Sequence, residues 1–243
     1  MKDLYKEIFR RKSFRSYPNK LEIDENLESK IFFKANSLST FDSTIKTKVY
    51  ITKLINSKKN DYVLHFYSEI KPNYRLNAGF MLEEFVLYLT SLNVGTLFVG
   101  SKQDKTHKNE TLKYILTVNF SLVSSDSFRL PTDNISRKDR NLFIKGFIEE
   151  EVINAVRYSA SAVNKQPWLF EGITTGDTYQ IICYVDKDNS FLGFKLDGCF
   201  DVGIAIYNIL VTLNYLGKKY SLTVESKDLK YGNFQEVARI TYL

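Results

Sequence analysis

The sequence has few of the residues that build metal sites or disulfide frameworks. Its 243 residues include two histidines and two cysteines. His65 and His107 have no cysteine or histidine neighbours at ligand spacing, so structural or solvent roles are expected for both and no metal site is predicted. Cys183 and Cys199 are too few for a disulfide framework and indicate thiols in a reducing compartment.

Long apolar runs and glycine-rich phosphate loops are also missing. The first residues, MKDLYKEIFRRK, are charged from the start and lack the apolar core of a signal peptide. The most apolar stretches, 85–100 and 200–213, are interrupted by polar residues and fall short of the roughly 20 residues that cross a membrane. We therefore expect a soluble cytoplasmic protein without membrane contact. The sequence has no Walker loop, G-x-G-x-x-G or G-x-S-x-G element, so side chains must hold any nucleotide phosphate.

Basic and aromatic side chains, in contrast, are abundant. The chain has 34 Lys and Arg against 28 Asp and Glu, a net charge of +6, which favours anionic partners such as phosphates, nucleic acid or a membrane surface. The cations are dense at 10–15 (RRKSFR) and 137–140 (RKDR). Hydrophobic residues make up 44% of the chain, with 16 Tyr and 18 Phe, enough for a packed core in one large domain or two small ones.

The same order of predicted elements occurs on both sides of a polar connection at 124–141. The first part has helix 24–37, strands 47–55 and 62–67, helix 74–92, and strands 96–100 and 112–122. The second part has helix 147–158, strands 168–173 and 179–185, helix 198–216 and strand 235–242. Helices and strands mixed without strict alternation predict an α+β fold. We expect two related halves, 1–130 and 131–243, that share one core.

A basic segment follows the first predicted helix, residues 3–12. Its arginines offer forked donors that match phosphate oxygens, its lysine a point charge and its serine a hydroxyl donor. Cations are also favourable at any helix C-terminus. Taken alone, RRKSFR at 10–15 is therefore compatible with a phosphate site and with an ordinary helix end.

A second segment, SASAVNKQPW at 159–168, combines small residues with amides. Small side chains let the backbone approach a flat ring, and Asn164 and Gln166 offer donors and acceptors for the polar edge of a heterocycle. Pro167 favours an extended exit into a strand that carries Trp168, the single tryptophan. This combination favours a ligand-binding loop over a simple connection.

Together the two segments resemble elements of the nitroreductase family of FMN enzymes. RKSFR at 11–15 is similar to the family's R-R-S-x-R element, and 159–168 to its A-P-S-A-x-N-x-Q-P-W loop. NVGTLFVG at 93–100 resembles an altered G-x-G-T-C-W-x-G element, and Arg137-Lys138 a basic pair of the family. The loop follows the arginine element by half a chain, and 35–45 has no N-x-Q-P-W. The order resembles the single-chain branch, in which two halves imitate the usual dimer.

The resemblance implies a set of cofactor contacts, and it also shows departures. The implied residues are Arg11, Lys12, Ser13, Arg137 and Lys138 for the phosphate and ribityl end, Arg15 for the pyrimidine edge of the flavin, Phe98, Val99 and Gly100 near N5, and Ala160, Ser161, Ala162, Asn164 and Gln166 as the cover from the second half. Ala160 stands where the family has proline and Phe98 where it often has tryptophan. The fold implied is nitroreductase-like and internally duplicated, with mixed β-sheets packed on long central helices.

The function implied is an NAD(P)H-dependent FMN oxidoreductase. Hydride would pass from NADH or NADPH through flavin N5 to a nitroaromatic or quinone-like small molecule, so no catalytic acid, base or nucleophile of the protein is expected. Because each motif occurs once, we expect one FMN in a monomer with pseudo-dimeric halves. Two alternatives stay open: a flavin-binding protein without reductase activity, and a nucleic-acid-binding module that uses the basic clusters and aromatic rings. No signature of nucleic-acid binding is present.

Overall fold

The computed structural model describes residues 4–54, 57, 60–100, 107, 111–224 and 229–243. The described helices are α1 (Tyr5–Arg10), α2 (Glu25–Ala35), α3 (Tyr74–Ser91), α4 (Glu150–Tyr158) and α5 (Cys199–Tyr215). The first sheet contains β1 (Thr47–Lys53), β2 (Tyr62–Ser68), β3 (Val94–Val99) and β4 (Lys113–Leu122). The remaining strands are β5 (Ile144–Gly146), β6 (Trp168–Thr175), β7 (Thr178–Asp186), β8 (Ser190–Phe191), β9 (Phe194–Lys195), β10 (Tyr220–Val224), β11 (Leu229–Tyr231) and β12 (Phe234–Tyr242).

The two larger sheets share one strand arrangement. The first has the order β1-β2-β4-β3 and is antiparallel throughout. The second has the order β10-β12-β7-β6-β5, is antiparallel from β6 to β10, and carries β5 as a parallel edge strand. In each sheet two antiparallel neighbours are followed by a central helix, and the last strand lies between the second strand and the third. The α+β fold with a mixed sheet is confirmed.

Helices α3 and α5 cross at the centre of the molecule and are buried along almost their whole length. Two glycines allow the close approach. A Cβ atom on Gly79 would lie 1.9 Å from the carbonyl oxygen of Phe200, and one on Gly203 would lie 2.1 Å from that of Leu76. Since Cβ atoms do not approach backbone this closely, the crossing requires glycine at both positions.

One hydrophobic cluster joins the beginning of the chain to its end. Ile8 and Phe80 pack in the same buried group as Ile206 and Ile240. The ring of Tyr5 on α1 stacks on that of Tyr215 on α5, with 4.1 Å between centroids. Helix α1 is therefore fixed against the second central helix, and the segment that follows it starts from a rigid support.

The description of the central helices as long is wrong, although their predicted bounds, 74–92 and 198–216, lie within one residue of the observed ones. The five described helices have 6 to 18 residues, and α3 and α5 have 18 and 17. An 18-residue helix is about 27 Å long, the thickness of a small domain, so each helix crosses the core once and stops. Asn93, with φ of 58°, follows the end of α3, and Gly217, with φ of 73°, follows α5. No described helix is both long and apolar enough to cross a lipid bilayer.

Candidate functional site

A cationic cavity of about 430 Å³ lies where the segment after α1 meets the loop after α4. Its lining residues are Arg11, Lys12, Ser13, Arg15, Arg129, Arg137, Ala160, Ser161, Val163 and Asn164. Five of these side chains are cationic and none is acidic. The volume is within the range of about 300–1,000 Å³ typical of small-molecule sites. The structure thus brings together residues from both candidate segments and from the connection between them.

The basic segment is fixed to the edge of the first sheet. Helix α1 ends at Arg10, and Arg11 has φ of −58° and ψ of 132°, which turns the chain into an extended path. Ser13 then forms a parallel bridge with Thr96 of β3, and the main-chain N–H of Phe14 donates to the Thr96 carbonyl at 2.9 Å. Neighbouring side chains of an extended segment point to opposite sides. Phe14 is buried in a small apolar cluster, while Arg11, Ser13 and Arg15, on the other side, line the cavity. Lys12 also lines the cavity, with its Nζ 5.2 Å from the ring centroid of Phe14.

The arginines at the cavity repel one another and lack full hydrogen-bond partners. Arg11 is 4% exposed, and its Nε is buried without a partner in the described part of the chain, as is an Nη1 atom of Arg129. Burial, together with the nearby charges of Arg11, Arg129 and Arg157, lowers the pKa of Arg137 to about 10. Burial also lowers the pKa of Arg129, and the charge of Arg11 adds to that effect. Such a cluster fits an anion that accepts several hydrogen bonds.

The loop at 159–167 is held in a strained conformation. Val163, Asn164 and Gln166 have φ of 44°, 59° and 49°. Positive φ is unusual for a β-branched residue and costs of order 1–3 kcal/mol at such sites. The main-chain N–H of Ala162 donates to Oδ2 of Asp201 at 3.0 Å. Burial raises the pKa of Asp201 to about 7, against the lowering effect of that hydrogen bond.

The connection between the two sheets binds the back of this loop. Arg137 donates from Nη1 to the side-chain oxygen of Asn164 and from Nε to the carbonyl of Arg157 at 2.6 Å. Lys138 donates from Nζ to the carbonyl of Gln166 and from its main-chain N–H to the Gln166 side chain, both at 3.1 Å. Arg137 therefore lines the cavity, whereas Lys138, Gln166 and Ala162 support the loop.

The third predicted element is placed away from the cavity lining. The ring of Phe98, at the end of β3, makes an edge contact with Phe200 of α5 at 5.6 Å between centroids. Val99 is half-buried and Gly100 is exposed. Phe98, Val99 and Gly100, which the resemblance places near flavin N5, are not among the residues that line the cavity.

Sequence reasoning missed two lining residues, Arg129 and Val163. Arg129 precedes a proline-containing stretch that the sequence marks only as a connection. Its main-chain N–H donates to the carbonyl of Arg10 at 3.0 Å, and its guanidinium lies 5.2 Å from the ring centroid of Tyr158. The only sequence signal for Arg129 is the basic character of the connection, and for Val163 its position inside the small-residue loop.

The histidines and cysteines lie outside the cavity. The rings of His65 and His107 are 5.6 Å apart, and Nδ1 of His65 is 3.0 Å from the Thr117 hydroxyl. Burial raises the pKa of the Cys199 thiol to about 12 and raises that of Cys183 as well. The part of the chain that the structure describes contains no group of three or more potential metal ligands.

Comparisons with known proteins agree with this architecture. Residues 3–212 match the sequence profile of the family described as Putative TM nitroreductase. The fold is similar to a putative nitroreductase from Thermotoga maritima, with a TM-score of 0.65 and 16% identity over 98% of this chain and 92% of that one. An FMN-bound nitroreductase from Bacteroides fragilis matches 55% of this chain and 95% of its own, with 12% identity and a TM-score of 0.41. No curated protein matches the chain.

Proposed function

This chain belongs to the Putative TM nitroreductase family, and we propose from that premise that it is an FMN-dependent oxidoreductase with a single flavin site. The observation that carries the proposal is the cavity itself, in which five cations face a loop of small residues and amides. Its partnerless arginine atoms fit a phosphate group. Because Arg137 of the second basic cluster meets three cations of the first in this one concave site, a small anionic ligand accounts for them better than an open nucleic-acid surface does.

Different residues of the cavity would bind different parts of the cofactor. Arg11, Lys12 and Ser13 would bind the phosphate and ribityl end, with Arg129 and Arg137 adding charge around them. Arg15 would lie at the pyrimidine edge, where a cation stabilises a reduced, anionic flavin. When bound, FMN supplies reversible hydride exchange at N5 between NADH or NADPH and an acceptor.

The loop from 160 to 164 would form the opposite wall of the flavin site. Ala160 and Ser161 have small side chains that leave space for a flat ring, and Asn164 presents an amide to its polar edge. Val163 is 56% exposed and offers an apolar contact to a planar acceptor such as a nitroaromatic or a quinone. The protein's part in this proposal is to bind, orient and exclude water, with no side chain acting as acid or base.

We also propose that residues 1–130 and 131–243 are duplicated halves of one pseudo-dimeric, monomeric unit. Two correspondences support this. The two sheets have the same strand order. Gly79 of α3 approaches Phe200 of α5, and Gly203 of α5 approaches Leu76 of α3. The sequence separation between Gly79 and Gly203 equals that between Leu76 and Phe200. A single arginine element and a single N-x-Q-P-W loop support one FMN per chain.

The proposal is tested by adding FMN to flavin-free protein and following absorption, fluorescence and heat. We expect one FMN per chain and bleaching of the visible flavin band on anaerobic addition of NADH or NADPH. Arg11→Met should weaken FMN binding about 100-fold, because it removes at least one charge-assisted hydrogen bond and a buried charge. Arg140→Met is the matched control, since Arg140 is exposed and pairs with Glu150 at 2.8 Å outside the cavity.

The outcomes separate the alternatives. Binding with reduction by dithionite but not by NADH or NADPH would identify a flavin-binding protein without reductase activity. A stoichiometry near two would contradict the single site. Protein that does not retain FMN at all would refute the proposed function.

A further inference from the structure

Glu83 is a fully buried carboxyl group on α3, at the centre of the molecule. Its Oε1 accepts a hydrogen bond from Nδ2 of Asn208 at 3.2 Å, and its Oε2 has no partner among the described residues. Burial raises the pKa of Glu83, and the charge of Arg11 and the Asn208 hydrogen bond oppose that rise. The cofactor chemistry proposed above makes no use of this group.

Arg11 is the cation whose charge acts on Glu83, and no ion pair of 4.0 Å or less joins the two described side chains. Burial lowers the pKa of Arg11, and the charge of Glu83 acts in the opposite direction. An arginine stays charged in proteins even when it is buried. Arg11 also lines the cavity, so it lies between an internal carboxyl group and the place of an external anion.

A hydrogen-bonded chain connects Glu83 to the loop side of the same cavity. Nδ2 of Asn208 also donates to the Ser159 hydroxyl at 2.8 Å. The carbonyl of Ser159 in turn accepts from Nη2 of Arg137 at 3.4 Å. Glu83 is thus linked to one cavity arginine by charge and to another through Asn208 and Ser159.

We propose that Glu83 is a buried counter-charge to Arg11 that takes up a proton when a phosphate group binds at Arg11. The inference rests on the proposed FMN site. In this proposal Glu83 is ionised before the ligand binds, because the charge of Arg11 and the Asn208 hydrogen bond oppose the effect of burial. In the low dielectric of the core, a dianion that binds at Arg11 then repels the Glu83 carboxylate. The carboxyl group is neutralised by a proton from solvent, and no other bond changes. A bound phosphate raises the proton affinity of Glu83 by some factor. By linkage, protonation of Glu83 strengthens phosphate binding by that same factor.

The other groups around Glu83 do not substitute for it. Tyr207 on α5 has a buried hydroxyl without a partner in the described structure, and burial raises its pKa, as do the charges of Glu84 and Glu83. It therefore stays neutral. Glu84 lies next along α3, where it pairs with Lys34 and accepts from the main-chain N–H of Ser39 at 2.7 Å. Its contacts lie away from Arg11.

The test is titration calorimetry of FMN into the full-length, flavin-free protein in pairs of buffers with different ionisation heats, from pH 6.5 to 8.5. The phosphate group has a second pKa of about 6, so its binding to arginines releases protons from the ligand. Net proton uptake has the opposite sign and therefore indicates a protein group that gains a proton. We expect wild type to take up more protons per FMN than Glu83→Gln does. The wild-type affinity should fall with rising pH by at most about tenfold per pH unit for each proton taken up.

Two controls keep the result decisive. Glu84→Gln should retain the wild-type uptake, and riboflavin, which lacks the phosphate, should bind to wild type without it. The riboflavin comparison needs no variant and decides the matter even if Glu83→Gln does not fold. Equal proton uptake in wild type and Glu83→Gln, or in FMN and riboflavin titrations, overturns the inference alone. Absence of FMN binding to wild type overturns the proposed function and the inference with it.

Discussion

Two loops occupy corresponding places in the two sheets and differ in charge and strain. Residues 36–46 join α2 to β1, and residues 159–167 join α4 to β6. In the first, Oδ1 of Asn77 accepts the main-chain N–H groups of Phe41 at 2.8 Å and Asp42 at 3.1 Å. In the second, Oδ2 of Asp201 accepts that of Ala162. Both acceptors lie in the first turn of a central helix.

The difference between the loops shows which of them is adapted to a ligand. Non-glycine residues with positive φ occur at 163, 164 and 166 and at none of the positions 36–46. The second loop also faces arginines, while the first packs Phe41 on Phe80 at 5.7 Å between ring centroids. Strain and uncompensated charge persist in proteins where surrounding structure holds them, often at functional sites. One scaffold therefore supports a packed loop and a binding loop.

The largest expected effect tests the shared scaffold. Gly79→Ala and Gly203→Ala should each lower the free energy of unfolding in urea by about 3 kcal/mol or prevent folding, because each Cβ overlaps a backbone carbonyl. Gly100→Ala is the control, since a Cβ there has no atom within 4 Å. If one of the two central substitutions changed stability as little as the control, the two helices would not make equivalent contacts at their crossing.

A reciprocal exchange tests the charge difference between the loops. The pKa of Asp201 is raised to about 7 from 3.8, so its contribution to stability is present below pH 3.8 and is lost as pH rises through about 7. By linkage this loss between pH 5 and pH 8 is about 3 kcal/mol. Asp201→Asn should remove it, and Asn77→Asp should introduce a loss of the same sign in the other loop. Urea unfolding at both pH values measures the change, and an unaltered pH dependence in Asp201→Asn would contradict the buried-carboxyl account.

The smallest effect tests the strain. Val163→Gly should raise the free energy of unfolding by about 0.5 kcal/mol, because relief of the positive φ exceeds the greater freedom of glycine in the unfolded chain. Val224→Gly is the matched control: Val224 is also exposed but lies in a strand, and its substitution should lower stability. Stabilities measured in parallel must therefore change in opposite directions.

The sequence contains enough information for the element order and for the two segments that form the cavity. The apolar positions along α3 and α5 predict their helices to within a residue or two, because burial on all sides leaves a continuous hydrophobic pattern. The basic segment at 10–15 and the loop at 159–168 are local in sequence, so their chemistry is readable without a fold. Their meeting at one cavity is a property of the structure.

Other features depend on contacts between distant residues and could not be predicted. Strand β5 was not predicted: Ile144 pairs in parallel with Phe170, and the helix predicted over 147–158 begins only at Glu150. Glu83 and Asp201 are charges in apolar helices whose partners depend on the fold, which places the Asn208 amide at Glu83 and the Ala162 N–H at Asp201. Arg129 is a surface-like arginine in sequence and a lining residue in the structure.

The position of the last strand in each sheet also bears on how the chain acquires its structure during synthesis. Strand β4 lies between β2 and β3, and β12 lies between β7 and β10, so in each sheet the strand that emerges last from the ribosome becomes an inner one. Strands β7 and β10 keep unpaired edges until residues 234–242 have been synthesised. The pairing of β12 with β7 joins residues distant in sequence, and such non-local pairing is slow. The first sheet can close once residue 122 has emerged, whereas the support of the binding loop is completed more than a hundred residues later.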